Sequence, residues 1–418
     1  MDRVLLNVFF VLLVLVPAVP KAGAVEIVLF QRGYVAGGTG PATELTDAAV
    51  KAFRARRPDV TVKVAGVPWG KEGDLKLRTA LLARRRIDCF RLAHDQLPAF
   101  LPRAGRLLAP VDPYLSAADR ADFGAAALAA VSREGRVWAW PLWSTALALV
   151  ANQDLLTRHQ IQPPPGRPWT WAEFRDVLKR VSSGKTHGLN AAARPPLFEW
   201  APLLLTHCGP LFVEGAPLAS DGTIPLAPHL AQALSRVCAL REAGLLAPGF
   251  GVDDDSAVQA DFLAGRTAFL LTSPGFIKTL VRQKFPFAIL PPPTGDWGRP
   301  ITTGALGCFA VVDAGDAART RAAQALCRFL TSAEIARAVP GWYLAPPARG
   351  SIPSFYDQPA TGPLAAILKT THYLTPPVSG GFMDGTLIPN LQAALLGERT
   401  PEQAIAAIQS AARRAVLK

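Results

Sequence analysis

The sequence predicts an α/β protein built as two lobes. Three observations carry that expectation: a leading strand, helix, strand, helix, strand series, a helix-rich middle that opens on a capping box, and a length of 418 residues. A single ordinary core stops growing well short of that length, so the chain is expected to divide.

Val25 to Phe30 is a compact apolar run and reads as the first strand. Gly33, Gly37, Gly38 and Gly40 make a loop after it. Thr43 to Arg57 places Leu45, Ala49, Val50 and Phe53 on one helical face, and Pro58 stops that helix. Val60 to Val64 alternates as a second strand; Leu75 to Arg86 reads as a helix and Ile87 to Leu92 as a third strand. This order argues for a largely parallel sheet wrapped by helices. Ligands of such sheets bind beyond the carboxyl ends of the strands, so the glycine loop is a binding candidate.

In the middle of the chain, Thr170 and Glu173 have the spacing of a capping box. Phe174, Val177, Leu178 and Val181 form the apolar stripe behind it. Thr331 with Glu334, and Thr400 with Gln403, read as the same start signal. Gln162 to Pro168 and Leu290 to Thr294 are proline-rich connections. No internal repeat or low-complexity tract is visible.

The first residues read as an export leader. Arg3 is followed by an apolar run from Val4 to Val16, and Ala22-Gly23-Ala24 supplies the small residues of a cleavage site after Ala24. The run is shorter than the roughly 20 residues a spanning helix needs, and Pro17 and Pro20 end it. No cysteine follows the small residues, so a lipid anchor is not expected, and the mature chain is expected in the periplasm or outside the cell. The net charge of +12 comes from scattered Lys and Arg, with short clusters at Arg54, Arg56 and Arg57 and at Arg84 to Arg86. These read as solvated faces, and no nucleic-acid motif accompanies them. Cys89, Cys208, Cys238, Cys308 and Cys327 form no metal-binding spacing. One bridge, Cys208 to Cys238, is open in an oxidising compartment; the alternative is buried thiols.

Several fragments in fixed order resemble the extracellular solute-binding proteins of family 1, the maltose-binding and glycerol-3-phosphate-binding group. Arg57-Pro58-Asp59-Val60-Thr61-Val62 resembles that family's helix-to-strand turn, and Gly135 to Pro141 its "G-K-x-Y-A-x-P" segment. Pro168-Trp169-Thr170-Trp171-Ala172-Glu173-Phe174 resembles "P-x-T-W-d-E-f", and Asp261 to Phe269 resembles "F-x-x-G-k-a-A-M". Thr303-Gly304-Ala305 is similar to the "G-G-a" loop, with Thr303 in place of its first glycine. The resemblance runs over nearly the whole chain after the leader. It implies a periplasmic-binding-protein type II fold with a ligand cleft between the lobes. It also implies a receptor role, in which a small-molecule ligand, a sugar or oligosaccharide, is delivered to the permease subunits of an ABC importer. The lobes are expected at 25–140 with 298–336, and at 143–295 with 340–418, in a monomeric protein that needs no cofactor and no metal.

Sugars stack their C–H faces on aromatic rings while polar groups meet their hydroxyls. The resemblance places Trp143 and Ser144 at a lobe crossing, Glu199 and Trp200 at a helix start, and Thr303 and Gly304 in the returning loop. It adds Ser273, Trp342 and Tyr343 from segments similar to those of glycerophosphate-binding members, with Arg32 and Tyr34 just past the first strand. His94 and Asp95 follow the third strand and reach toward the same region. A tryptophan fills a core as readily as it forms a ligand platform, and Trp171 reads as core packing. Arg32 and Arg349 keep a glycerol-phosphate or phosphodiester ligand open as the alternative. Enzyme readings find no support: G-x-S-x-G, H-E-x-x-H, the P-loop and the dinucleotide fingerprint are all missing from the sequence. The paired carboxylates of a carbohydrate-active enzyme have no local motif here.

Overall fold

The computed structural model describes residues 24–68, 71–83, 85–101, 108–193, 198–213, 219–313, 315–338, 345–352, 359–377 and 381–416. Of the expected leader only Ala24 is among them, and Trp342 and Tyr343 lie outside the described residues. The strands are β1 Val25–Arg32, β2 Val60–Val67, β3 Cys89–Ala93, β4 Ser132–Arg133, β5 Arg136–Val137, β6 Ala139–Ser144, β7 Ala148–Asn152, β8 His187–Ala191, β9 Thr267–Thr272, β10 Phe287–Leu290, β11 Thr302–Thr303, β12 Leu306–Val311 and β13 Thr371–His372.

The first sheet has the order β2-β1-β3-β12-β6, and the second β10-β7-β9-β8. In the first, β1 is parallel to β2 and β3, while β12 is antiparallel to both β3 and β6. In the second, β8 is parallel to β9, and β7 is antiparallel to β9 and β10. Each sheet therefore has one reversed strand. Those two, β7 and β12, are the strands that begin where the chain crosses from one sheet to the other. The other strands of these two sheets point their carboxyl ends at that crossing.

Both faces of the second sheet are covered. Leu149, Ala151, Leu189, Phe269 and Leu271 join one core, and Ala148, Val150, Leu270 and Ile289 another. That two-sided burial is why these strands read as unbroken apolar runs rather than alternating ones. The first sheet has its own core, with Ile27, Leu29, Phe90, Leu92, Trp140 and Leu326 among its members. Trp140 is fully buried and donates its indole N–H to Gln324 at 2.7 Å, which removes the cost of burying a polar ring atom.

Local signals behave as chemistry dictates. The helix Trp171–Val181 starts on Thr170, whose Oγ1 accepts from the Glu173 N–H at 3.3 Å while Glu173 accepts from the Thr170 N–H at 2.8 Å. Arg167 grips the same carboxylate with two bonds of 2.7 Å and, with the Thr170 N–H, pulls Glu173 down to about 2. Its predicted stripe, Phe174, Val177, Leu178 and Val181, is buried. Trp171 is only partly buried and meets the edge of His207, whereas Trp169 is sealed against Phe174 and Phe269. Thr400 and Gln403 form the second box.

Other expectations need correction. Thr331 ends a helix instead of starting one: its hydroxyl turns back to the Cys327 carbonyl, and Ser332 is the N-cap of the next turn. The first helix is Pro41–Arg56 and the second Lys71–Leu82, each beginning earlier than its apolar stripe because acidic first turns extend it. Of the two alternatives left open for Cys208 and Cys238, the structure has free thiols; their sulfurs face the carbonyls of Leu204 and Ala394. Residues 345–352, expected with the second sheet, lie on the first. Pro346 accepts from the Ser144 N–H, the Ala348 N–H donates to Leu142, and Arg349 binds Asp119 and Asp122. The segment covers the free edge of β6 before the chain leaves, a role that no local pattern announces.

Candidate functional site

The crossing is built from two backbone runs held side by side. The Thr145 N–H donates to Ala305 at 2.8 Å and the Leu147 N–H to Thr303 at 2.7 Å. The Thr302 hydroxyl donates to the Leu147 carbonyl at 2.7 Å, and the Ala305 N–H donates to the Thr145 hydroxyl at 3.1 Å. The runs approach so closely that a Cβ on Gly304 would sit 1.8 Å from the Thr145 carbonyl oxygen. A third run joins them, since Thr302 and Thr303 pair in parallel with Thr371 and His372.

At the first sheet, His94 is locked among these runs. Its Nδ1 accepts from the Leu306 N–H at 3.2 Å, so Nε2 carries the proton and donates to the Leu374 carbonyl at 3.0 Å. Burial, helped by the Arg133 charge, lowers its pKa to about 3. Tyr373 lies edge-on to it at 5.3 Å and is itself pushed up to about 12 by burial, against a bond with Ser144. His94 is therefore a neutral fastener with both nitrogens used, not the ligand-reaching group expected. Beside it, Asp95 keeps some surface, but its Oδ1 is sealed and has no hydrogen-bond partner among the described residues. Burial, with Asp384 and Asp74 adding repulsion, raises its pKa to about 7.

Arg32 does not project past β1 as expected. It is buried, ion-paired to Asp74, and donates to the carbonyls of Arg91 and Pro68 at 3.3 Å each. Gln96 ties the same Asp74 at 2.9 Å. Tyr34 is half-buried and donates its phenol to Asp47 at 3.0 Å. Trp143, at the crossing, is half-buried and packs against the core of the first sheet. It lies flat against Gly307, where a Cβ would come within 2.4 Å of the indole, and the Arg91 guanidinium stands 5.8 Å from the ring centre.

The second sheet contributes Glu199 and Ser273 at the ends of β8 and β9. Glu199 is buried; its carboxyl accepts from the Ala192 N–H at 3.3 Å and lies 3.5 Å from the Thr272 hydroxyl. Burial first, then Asp255, drives its pKa up to about 8, against the Ala192 and Ser273 backbone bonds. At neutral pH it is a protonated, neutral group, suited to donate one hydrogen bond. Trp200, one residue on, points away. It is fully buried against Phe198 and Phe250, with ring centres at 4.8 and 6.2 Å. The expected stacking platform is a core residue.

The structure thus brings together His94, Asp95, Trp143, Ser144, Thr303 and Gly304 at the crossing, with Glu199 and Ser273 at the facing strand ends. It removes Trp200 and commits Arg32. Tyr373, Arg91, Asp74 and Gln96 belong to this neighbourhood and were missed. Only Gln96, two residues past His94, carried a positional hint. Among the described residues no three His, Cys, Asp or Glu side chains gather as a metal site. No described helix is long and apolar enough to cross a membrane.

A family model described as bacterial extracellular solute-binding protein matches residues 48–364. A lipoprotein from the oleD 5′ region of Streptomyces antibioticus is 26% identical over 293 residues, covering 68% of this chain and 62% of that one. A binding protein of Brucella abortus (strain 2308) is 23% identical over 270 residues, 63% of this chain and 61% of the relative. The chain therefore spans about three fifths of the length of these relatives. Among solved structures, the sugar-binding protein MalE of the phytopathogen Xanthomonas citri superposes with a TM-score of 0.77 at 18% identity, over 94% of this chain and 97% of that one. A cyclo/maltodextrin-binding protein complexed with maltotetraose gives 0.73 at 18%, over 94% and 97%. A chitin oligosaccharide binding protein gives 0.72 at 20%, over 95% and 100%. The fold is that of the type II periplasmic binding proteins.

Proposed function

This chain belongs to the bacterial extracellular solute-binding proteins, and from that premise we propose that it captures a sugar or oligosaccharide and hands it to the permease of an ABC importer. It acts as a monomeric receptor without catalysis, after its leader is removed near Ala24. The two sheets are the centres of two lobes: residues 25–140, 298–336 and 345–352 on one side, the remainder on the other. They close on ligand by bending at the paired runs Thr145–Leu147 and Thr303–Ala305.

The observation that carries the sugar reading is the setting of Trp143. A half-buried indole stands where the chain crosses between the sheets, with Arg91 near one side of it. Ser144 follows it in the chain, and the second sheet offers Glu199, whose raised pKa of about 8 keeps its carboxyl largely neutral near pH 7. Ring stacking and neutral hydrogen bonding are what a sugar asks for. Two proteins of the same fold, a cyclo/maltodextrin-binding protein complexed with maltotetraose and a chitin oligosaccharide binding protein, support it. The glycerophosphate alternative loses its cationic motive, because Arg32 is committed to Asp74, and Arg349 to Asp119 and Asp122.

A thermal-shift screen of the mature protein against maltodextrins, chitin oligosaccharides and glycerophosphodiesters tests this. A true ligand at 100 times its Kd adds about 2.7 kcal/mol of stability. A shift with glycerophosphodiesters alone would refute the sugar reading. Unchanged solution scattering at saturating ligand would refute closure.

A further inference from the structure

The basic cluster at the end of the first helix has a use that solute capture does not absorb. The helices Pro41–Arg56 and Ala317–Leu330 meet through Phe53 and Phe329, whose ring centres are 5.6 Å apart. Beside that contact runs a groove of about 550 Å³, closed on its third side by Pro113 and Tyr114. Phe53, Phe329 and Tyr114 supply aromatic surface, and Arg56, Arg57, Arg321 and Arg328 supply charge. No carboxylate is among the lining residues. The Arg56 guanidinium lies 5.0 Å from the Phe329 ring centre, so cation and aromatic wall form one surface.

Three of the four arginines reach carboxylates outside the groove: Arg56 to Glu334, Arg57 to Asp59 and Arg328 to Asp119, each at 2.7 Å. Arg321 is exposed and has no ion pair among the described residues. The groove sits at the end of the first sheet away from the crossing, since the Val60 N–H, at the start of β2, donates to the Arg57 carbonyl. At about 3.3 Å per residue, β1 separates it from Arg32 by roughly 25 Å.

From this we infer a second binding site, for a small organic anion with a flat apolar body, such as an aryl carboxylate or sulfonate. The rings hold the body by area burial and edge or face contact. Arg321 and its neighbours hold the anionic group with charge-assisted bonds. A neutral sugar is a poor fit, because the lining offers no carboxylate, and of the neutral polar side chains Gln324 and Ser332 the first is committed to Trp140 and Pro110. The volume lies within the range of small-molecule sites. This inference does not depend on the sugar reading.

The test uses two probes that share one body. In the full mature chain, 8-anilinonaphthalene-1-sulfonate should bind saturably with one probe per chain, read by its fluorescence. N-phenyl-1-naphthylamine, which lacks the sulfonate, should bind at least about tenfold more weakly, the value of one charge-assisted contact. Arg321→Glu has no ion pair to break, so it should fold normally and weaken the sulfonate by about tenfold or more. Trp143→Phe should leave the titration unchanged. Equal binding by Arg321→Glu, or equal binding of the neutral probe, would overturn the site. Loss on Trp143→Phe would move the probe to the crossing and overturn it too. A dimer on gel filtration that Arg321→Glu dissociates would make a second copy the occupant, with the same consequence.

Discussion

Gly304→Ala tests the crossing at its tightest point. The added Cβ would stand 1.8 Å from the Thr145 carbonyl oxygen, 2.7 Å from its carbon and 3.1 Å from the Ala146 Cα. All three are backbone atoms, so no rotamer relieves the overlap, and the runs must part by about 1 Å or more. That separation breaks or stretches the Thr145–Ala305 and Leu147–Thr303 bonds and the Ala305 bond to the Thr145 hydroxyl. At about 0.5–1.5 kcal/mol each, the loss is roughly 2–4 kcal/mol. Restricting the unfolded chain returns about 0.4–1 kcal/mol, leaving a net destabilisation of roughly 1–3 kcal/mol. Urea unfolding at constant m measures it as a lower midpoint. Gly385→Ala is the control, because its Cβ meets nothing within 4 Å in a helical segment, and it should hold or raise the midpoint. If Gly304→Ala unfolds at the wild-type midpoint, the two runs are not in the close backbone contact that this geometry gives them.

Trp200→Ala should cost about 3–5 kcal/mol of stability by opening a cavity against Phe198 and Phe250, with ligand affinity changed little in the folded fraction; a wild-type melt would refute its burial. Glu199 has a folded pKa of about 8 against an ordinary 4.5, so the folded state holds its proton more tightly. Its contribution falls as pH rises from about 4.5 to about 8, by at most about 1.4 kcal/mol per pH unit, and Glu199→Gln should flatten that slope in pH-dependent unfolding. His94 works in the opposite direction: with a folded pKa near 3 against 6.5, it favours folding at neutral pH and loses that contribution as pH falls from about 6.5 to about 3. A variant His94→Gln should lose the acid-side slope, whatever its overall stability. Thr170→Ala should lower stability by about 1 kcal/mol, the value of a lost cap, and equal melts would show the box to be idle.

Local chemistry was legible in the chain. The capping boxes at Thr170 and Thr400, the stripe from Phe174 to Val181, and the early strands and helices need only neighbours within a few residues. Backbone bonding and side-chain periodicity act at that range. The order of these elements was enough to indicate the fold class, while the family was indicated by motif-like fragments such as Pro168 to Phe174. Burial is another matter, because it is set by residues far away along the chain. Trp143 and Trp200 are the same residue type in similar apolar contexts, yet one keeps surface at the crossing and the other is closed off by Phe250. His94 looked like a reaching ligand group until Leu306 and Leu374, more than 200 residues on, took both its nitrogens. Arg32 was claimed by Asp74, and residues 345–352 by the free edge of β6. The sequence by itself determined which elements form and in what order. Which polar groups are already satisfied, and so unavailable to a ligand, was decided only when distant segments met, because a buried donor or acceptor takes whichever partner the packing brings within about 3 Å.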